Sequence, residues 1–347
     1  MPDSDLPEIA KKLVASGKGI LAADESFPTI EKRFSEIGVE SNEDNRRFYR
    51  QLLFTTEGIE EFISGVIMFD ETAHQSVRGK PFIKILEDKG IIPGIKVDMG
   101  AKDMANFPGE TITEGLDGLR ERLVEYKSLG AKFTKWRAVI TIGEGIPTDT
   151  CINSNSEALA RFAALSQEAG LVPIVEPEVA RDGVHDFKKG EEVTYKTLKS
   201  VFNALDRHKV MLDGMLLKPN MVTPGKDYSE AANPQDVAVV TLRCMKEVVS
   251  QKVPGIVFLS GGQTPEEATV NLNEMNKQIK SPPAGRQAWE ISFSYGRALQ
   301  NPVLKAWGGK AENAPVAQKE FYKRAKLNSL ARKGLYTSDL EDIKLIS

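Results

Sequence analysis

Short runs of apolar residues recur along the chain, and most are followed by a longer stretch with helical spacing. Eight such runs stand out, at 19–24, 64–70, 92–98, 131–139, 171–178, 214–218, 255–260 and 289–295. Each is nearly continuously apolar rather than alternating. This character is typical of parallel strands that are covered on both faces.

The intervening segments predict amphipathic helices, most clearly at 45–54, 156–169, 235–251 and 265–279. Residues 41–44 resemble a capping box with Ser41 at its start, and Gly170 is a helix stop. Eight strands alternating with helices predict an α/β fold, the (β/α)8 or TIM barrel. A doubly wound open sheet is the alternative.

The expected organisation is a single catalytic domain over residues 1–333. A polar C-terminal tail at 334–347 is a candidate mobile segment. The formal net charge of −3, from 46 basic and 49 acidic residues, gives no reason to expect nucleic acid or a membrane surface as a partner. The N-terminus lacks the pattern of a signal peptide, and no apolar run is long enough to span a bilayer.

Two cysteines far apart, Cys151 and Cys244, argue against a disulfide framework, and we expect a cytoplasmic protein. The three histidines, His74, His185 and His208, do not pair at metal-ligand spacing. A nucleophile elbow, a Walker-type loop and a dinucleotide fingerprint are also missing from the sequence. We therefore predict no metal and no cofactor.

Polar residues end nearly every predicted strand. In a barrel of this kind the strand C-termini meet at one mouth, where active sites lie. The residues at or just past these ends are Asp24, Asp70, Lys96 with Asp98, Lys135 with Arg137, Glu176 with Glu178, Lys218, Ser260 and Arg297. Residues two apart on a strand share a face, so the pairs at 135 and 137 and at 176 and 178 should point the same way.

Lys218 ends the sixth run and is followed at once by a proline. Burial and nearby cations lower the pKa of a lysine, and the neutral amine is a nucleophile towards carbonyls. The plainer interpretation is a lysine whose ammonium reaches water, or a buried network of ion pairs. Glycines in 260–263 and 295–297, beside Arg297, suggest a phosphate grip after strands seven and eight, with ordinary turns as the alternative.

Nine stretches together resemble the class I (Schiff-base) fructose-1,6-bisphosphate aldolases. They are GILAADES at 19–26, NRRFYRQL at 45–52, GIKVD at 94–98, KWR at 135–137, VEPE at 175–178, LKPNMVTPG at 217–225, LSGGQ at 259–263, FSYGRALQ at 293–300 and KAWGGK at 305–310. They follow the family order over nearly the whole chain.

The resemblance implies Lys218 as the Schiff-base lysine and Glu176 as the acid and base for carbinolamine formation and dehydration. It places Lys135 beside the reacting carbon and Asp24 at the C4 hydroxyl. Glu178 and Arg137 would form a supporting charge network, and Lys96 would contact the substrate hydroxyls or the distal phosphate.

The implied phosphate contacts form two groups. The phosphate on C1 would be held by Ser260, Gly261, Gly262, Ser294, Gly296 and Arg297. The phosphate on C6 would be held by Ser26, Thr29, Lys32 and Arg33. Two departures stand out: residues 27–29 read Phe-Pro-Thr where many members have Thr-Gly-Ser, and the last tyrosine is Tyr336 rather than a terminal one.

The implied function is a lyase that reversibly cleaves fructose 1,6-bisphosphate to dihydroxyacetone phosphate and glyceraldehyde 3-phosphate, in glycolysis and gluconeogenesis. A homotetramer is also implied. The alternatives are a Schiff-base aldolase for another phosphorylated sugar, such as fructose 1-phosphate, and a non-catalytic scaffolding barrel. Residues alone leave open the sugar preference and what replaces the terminal tyrosine.

Overall fold

A computed structural model describes residues 5–230, 232–280 and 289–342. Eight strands pair side by side in parallel and close into a barrel. Each of the eight predicted runs contributes one of them, so the predicted (β/α)8 barrel is confirmed and the open sheet is wrong.

The barrel strands are β1 (Gly19–Ala23), β2 (Ile63–Met68), β5 (Ile92–Lys96), β8 (Phe133–Ile140), β9 (Val172–Val179), β10 (Leu216–Leu217), β11 (Gly255–Phe258) and β12 (Glu290–Tyr295). Two short antiparallel pairs lie outside the barrel: β3 (Ser76–Val77) with β4 (Lys80–Pro81), and β6 (Ala101–Asp103) with β7 (Thr111–Thr113). The order around the barrel is β1, β12, β11, β10, β9, β8, β5, β2.

The helices surround these strands. They are α1 (Leu6–Leu13), α2 (Phe27–Ser35), α3 (Glu43–Phe54), α4 (Asp70–His74), α5 (Phe82–Asp88), α6 (Leu119–Leu129), α7 (Asp149–Glu168), α8 (Phe187–Arg207), α9 (Pro234–Val248), α10 (Pro265–Lys280), α11 (Arg297–Trp307) and α12 (Ala314–Lys333).

Two predicted helix starts were wrong. Asn42, not Ser41, caps α3, because its side-chain Oδ1 accepts the backbone N–H of Asn45 at 2.9 Å. Helix α7 begins at Asp149, well before the predicted start at 156. There the Thr148 hydroxyl oxygen accepts the N–H of Cys151 at 3.2 Å. A cap of this kind satisfies a backbone donor that the first turn leaves unpaired.

The barrel interior is filled by apolar side chains from alternating strand positions, and α1 packs against them. Gly19 and Gly94 give room to two aromatic rings. A Cβ on Gly94 would overlap the ring of Phe133, and a Cβ on Gly19 would lie 2.5 Å from the ring of Phe293. Because this interior is closed, polar chemistry is confined to the C-terminal mouth.

The first part of the predicted tail lies against the barrel. Gly334 ends α12 in the left-handed conformation, and Tyr336 is buried. The Tyr336 hydroxyl donates to Glu341 at 2.9 Å, and Glu341 pairs with Arg324 at 2.6 Å. Residues 343–347 lie outside the described residues, so the division at residue 333 and a mobile tail stay predictions. Within the described ranges, no helix is both long and apolar enough to cross a membrane.

Candidate active site

Lys218, Glu176 and Lys135 form the centre of the mouth. The Lys218 Nζ lies 3.0 Å from Glu176 Oε1, and the Lys135 Nζ lies 3.3 Å from Glu176 Oε2. All three residues are buried, with Lys218 only 4% exposed. Glu176 Oε2 accepts no hydrogen bond of good geometry among the described residues.

Asp24 closes the cluster from the opposite side of the barrel. Its Oδ2 lies 2.6 Å from Lys135 Nζ. Burial raises the pKa of Asp24, but the ammonium groups of Lys135 and Lys218 outweigh burial and lower the pKa to about 2. Burial lowers the pKa of Lys135, and Asp24, Glu176 and Asp98 together raise it above its ordinary value. The pair is therefore fully ionised at neutral pH.

Strand geometry brings these side chains together. Lys135 lies on β8 and Glu176 on the adjacent β9, with Arg137 in register with Glu176. Strand β10 is short because Pro219 follows Lys218 and lacks a backbone N–H. The side chain of Asn220 then bridges the two strand ends, since its Oδ1 accepts the N–H of Val179 at 3.0 Å.

Arg137 and Glu178 pair at the outer edge of the cluster. The Arg137 Nε lies 2.5 Å from Glu178 Oε2. The Glu178 carboxylate raises the pKa of Arg137, although burial opposes it. Burial raises the pKa of Glu178, but Arg137 and more distant cations outweigh it and lower that pKa. Arg137 and Glu178 thus form an ion pair at this edge, and their supporting role in the reaction stays a prediction.

Asp98 joins the cluster, although it is not among the residues predicted to act. Its Oδ1 lies 2.5 Å from Lys96 Nζ, and its Oδ2 accepts the backbone N–H of Arg137 at 3.1 Å and lies 4.0 Å from Lys135 Nζ. Its position two residues after Lys96, at the end of a predicted strand, was the sequence signal that could have identified Asp98 as part of the site. Three lysines and three carboxylates thus form one connected cluster across the mouth.

The predicted phosphate loops follow β11 and β12. Gly261 and Gly262 both adopt positive φ, which favours glycine and turns the backbone after Ser260. A Cβ on Gly262 would lie 3.8 Å from Arg297 Nη2, so the guanidinium passes over this turn. The mouth at this point holds backbone amides and an arginine side by side, which is the composition of an anion site.

Two further predicted contacts lie beside this loop. Ser294 is buried, and its hydroxyl has no hydrogen-bond partner among the described residues. A Cβ on Gly296 would lie 3.8 Å from Arg33 Nη2. Arg33 therefore lies next to the predicted phosphate site after β12, although the resemblance assigns Arg33 to the C6 phosphate. Burial, and after it the charge of Arg33, lowers the pKa of Arg297.

The remaining predicted C6 contacts lie at the start of α2 and along it. The hydroxyl oxygens of Ser26 and Thr29 are 3.2 Å apart, and Lys32 is exposed. The ring of Phe27 packs edge-on against Phe69 with ring centres 5.2 Å apart. Phe27 therefore offers no side-chain hydrogen-bond donor at the helix start.

Asp70 stays outside the cluster. It begins α4, is exposed, and accepts the hydroxyl of Tyr126 at 2.9 Å. Among residues 5–230, 232–280 and 289–342, no group of three His, Cys, Asp or Glu side chains is arranged to hold a metal ion.

A closed parallel barrel with a buried lysine and carboxylate cluster at its C-terminal mouth is the architecture of a barrel enzyme. A sequence model described as "Fructose-bisphosphate aldolase class-I" matches residues 5–345. The chain belongs to this family, and with it to the lyases, as the motifs predicted.

Relatives in several kingdoms agree with this membership. The chain is 54% identical over 336 residues to the "Probable fructose-bisphosphate aldolase class 1" of Xanthomonas campestris, covering 96% of this chain and 99% of that protein. It is 51% identical to the muscle-type aldolase of Lethenteron camtschaticum, covering 96% and 91%. A solved structure of the Plasmodium falciparum aldolase, in complex with TRAP and an inhibitor, superposes with a TM-score of 0.93 at 48% identity, covering 96% and 95%.

Proposed function

We propose that this class I aldolase reversibly cleaves fructose 1,6-bisphosphate through an imine on Lys218, in glycolysis and gluconeogenesis, with no metal and no cofactor. The observation that carries the proposal is the 3.0 Å contact between Lys218 Nζ and Glu176 Oε1, both of them buried. A nucleophilic amine and a group that can take and return its proton are thus in direct contact.

Imine formation uses Glu176 twice. The Lys218 amine attacks the C2 carbonyl carbon of the ketose after passing a proton to the adjacent carboxylate. The resulting carbinolamine then loses its hydroxyl as water, with the proton returned by Glu176. The iminium that forms is a stronger electron sink than the carbonyl, which lowers the barrier for breaking the C3–C4 bond.

We assign the base of the bond-cleavage step to Asp24, on the opposite side of the mouth. A base must take the proton from the C4 hydroxyl as the electrons of the C3–C4 bond move to the iminium. Asp24 is ionised, but with a pKa of about 2 it is a weak base while Lys135 lies 2.6 Å away. A substrate hydroxyl placed between the two would share the ammonium and make the carboxylate more basic.

Two phosphate grips would fix the sugar along the mouth. Ser260, Gly261, Gly262, Ser294, Gly296 and Arg297 would hold one end, with Arg33 beside them. Ser26, Thr29 and Lys32 would hold the other end, and Lys96 would contact the hydroxyls between. Positioning of this kind can supply roughly 7 kcal/mol or more of the barrier reduction. Glu178 and Arg137 would hold the adjacent strand ends.

A coupled cleavage assay tests the proposal. Wild type should cleave fructose 1,6-bisphosphate with the same rate in EDTA, and Lys218→Met should have no detectable activity. Lys132→Met, at an exposed lysine just before the N-terminal end of β8, is the matched control and should keep full activity. Retained activity in Lys218→Met would contradict the proposal.

Sugar preference depends on the C6 end. Phe27 packs on Phe69 and Pro28 follows it, so the hydroxyls available there are those of Ser26 and Thr29. We propose that the bisphosphate is preferred, because Lys32 adds a cation at this end beside the hydroxyls of Ser26 and Thr29. The ratio of kcat/KM for the bisphosphate to that for fructose 1-phosphate measures this preference. A ratio near one would contradict the preference, and a ratio below one would favour fructose 1-phosphate as substrate.

We also propose that the protein acts in the cytoplasm, where no nucleic acid or membrane is a partner, as a homotetramer. A cytosolic aldolase of Arabidopsis thaliana is 52% identical over 94% of this chain, which supports the location. Light scattering of the purified protein would test the oligomer: a mass near four chains is expected, and a monomer would contradict it.

A further inference from the structure

A buried carboxylate lies directly behind Arg33, and no step of the proposed reaction uses it. Glu25 follows Asp24 in the chain and is 7% exposed. It accepts hydrogen bonds from Arg33 Nη1, from Arg50 Nη2 at 2.6 Å and from Gln300 Nε2 at 2.8 Å. Helices α2, α3 and α11 therefore converge on one carboxylate.

The same cluster links β1, which Asp24 follows, to the predicted phosphate site after β12. Gln300 also donates from Nε2 to the carbonyl oxygen of Ala22 at 2.7 Å, which ties α11 to β1. Helix α11 begins at Arg297. Arg33 Nη1 contacts Glu25, and Arg33 Nη2 lies beside Gly296. Arg33 therefore connects Glu25 to the predicted phosphate site after β12.

The charges of the cluster do not balance. Two guanidinium groups face one carboxylate, and their exposures differ: the Arg50 side chain is 4% exposed and that of Arg33 is 15% exposed. A fully buried guanidinium without a counter-charge is costly, and among the described residues Arg50 forms an ion pair with Glu25 alone. Once Arg50 and Glu25 neutralise each other, one positive charge remains, at the mouth on Arg33.

The surplus charge faces the place where a phosphate would lie. Burial lowers the pKa of Arg297, and the nearby charge of Arg33 lowers it further. The two guanidinium groups therefore repel each other. A dianionic phosphate between them would relieve that repulsion. If Arg50 did not neutralise Glu25, the Glu25 carboxylate would cancel the charge of Arg33, and no surplus positive charge would face the phosphate.

We propose that Arg50 is a positioning residue for phosphate binding: it neutralises Glu25, so that Glu25 orients Arg33 without cancelling its charge. This inference rests on the proposed function, because it explains how one phosphate contact of that site is tuned. It assigns no contact between Arg50 and the substrate.

A purely structural role for Arg50 must be separated from this one. The guanidinium carbon lies 5.6 Å from the centre of the Tyr49 ring, and Tyr49 stacks on Trp307 with ring centres 5.3 Å apart. Loss of Arg50 will therefore also cost stability. Stability by itself cannot distinguish the two roles, whereas affinity for a free anion can.

The test is the dissociation constant of inorganic phosphate, measured by calorimetry on the full-length protein at low salt. In Arg50→Met it should rise roughly tenfold, as expected when a charge-assisted contact is weakened. In Arg50→Lys, which keeps the charge, it should stay within about threefold of wild type. In the double variant Glu25→Gln with Arg50→Met, the lone charge of Arg33 is restored and affinity should recover.

Arg47→Met, on the exposed face of the same helix, is the control and should bind phosphate as wild type does. If the double variant binds phosphate as weakly as Arg50→Met, the charge argument is wrong and Arg50 is structural. Should Arg50→Met fail to fold, a tenfold loss in Arg50→Lys would overturn the inference in the same way. Borohydride trapping of dihydroxyacetone phosphate on Lys218 in the same variants reports separately on the proposed function.

Discussion

Replacing Glu176 by glutamine isolates the group on which imine formation depends. The amide has nearly the same shape but no charge, and it cannot take up or return a proton. In the structure the two carboxylate oxygens of Glu176 face two different ammonium groups, that of Lys218 at 3.0 Å and that of Lys135 at 3.3 Å. The substitution therefore removes the proton carrier and the shared counter-charge together.

The expected magnitudes follow from these contacts. Loss of a positioned acid and base typically slows a step by 10²- to 10⁴-fold, which is about 3 to 5 kcal/mol in the barrier. Lys218 would also lose its carboxylate partner, whereas Lys135 keeps Asp24 at 2.6 Å. Leaving a buried charge without its partner costs about 3–5 kcal/mol of folding stability. Both effects should appear, because both lysines are almost completely buried.

The assay is a rapid-quench experiment with borohydride. Enzyme and dihydroxyacetone phosphate are mixed, and the reduced adduct is counted against time before the first turnover ends. Glu176→Gln should form the adduct at least about a hundredfold more slowly than wild type. The free energy of unfolding, from urea titration, should fall in parallel.

Asp70→Asn is the matched control, because Asp70 is also an acidic residue at a strand end but its side chain is 54% exposed and lies outside the cluster. It should trap the adduct at the wild-type rate. Adduct formation in Glu176→Gln within a few-fold of wild type would refute the assignment, since another group would then have to carry the proton.

Three further outcomes are expected. The low pKa of Asp24 contributes about 2 kcal/mol of stability above its ordinary value of 3.8, and this contribution is lost as the pH falls towards 2. The stability gap between wild type and Asp24→Asn in urea titrations should therefore shrink to about half between pH 6 and pH 3; a constant gap would contradict the pKa. Gly94→Ala should cost about 2 kcal/mol or more in urea unfolding, because its Cβ would overlap the Phe133 ring; unchanged stability would mean that the ring can move freely. Burial raises the pKa of Cys151 to about 11 and of Cys244 to about 12, so Ellman's reagent should react slowly with the native protein at pH 8 and fully after unfolding; rapid native reaction would show an accessible thiol.

The architecture and the centre of the site followed from sequence spacing. The apolar runs predicted strand-end positions for Lys135, Glu176 and Lys218. Lys218 directly follows β10, whereas β8 continues to Ile140 and β9 to Val179. Barrel geometry still brings all three together at the mouth. The period of two predicted a shared face for Lys135 and Arg137 and for Glu176 and Glu178; the ion pair between Arg137 and Glu178 came from the structure. These are local rules, and they hold because the strands are short and buried on both sides.

Partners that are distant in sequence could not be predicted in this way. Glu25 meets Arg50, 25 residues away, and Gln300, 275 residues away, through the packing of three separate helices. Asp98 was visible as a strand-end residue, but its contact with the backbone N–H of Arg137 depends on the stagger between β5 and β8. Side-chain capping by Asn42 was missed for a similar reason, since two adjacent residues could each have supplied the cap.

The most direct test of the account is the identity of the residue that carries the imine. The protein would be incubated with dihydroxyacetone phosphate, reduced with borohydride, digested, and its peptides mapped by mass spectrometry. The account predicts one stable adduct, on Lys218, in the peptide that contains Pro219 and Asn220. An adduct on another lysine, or none at saturating ligand, would contradict it.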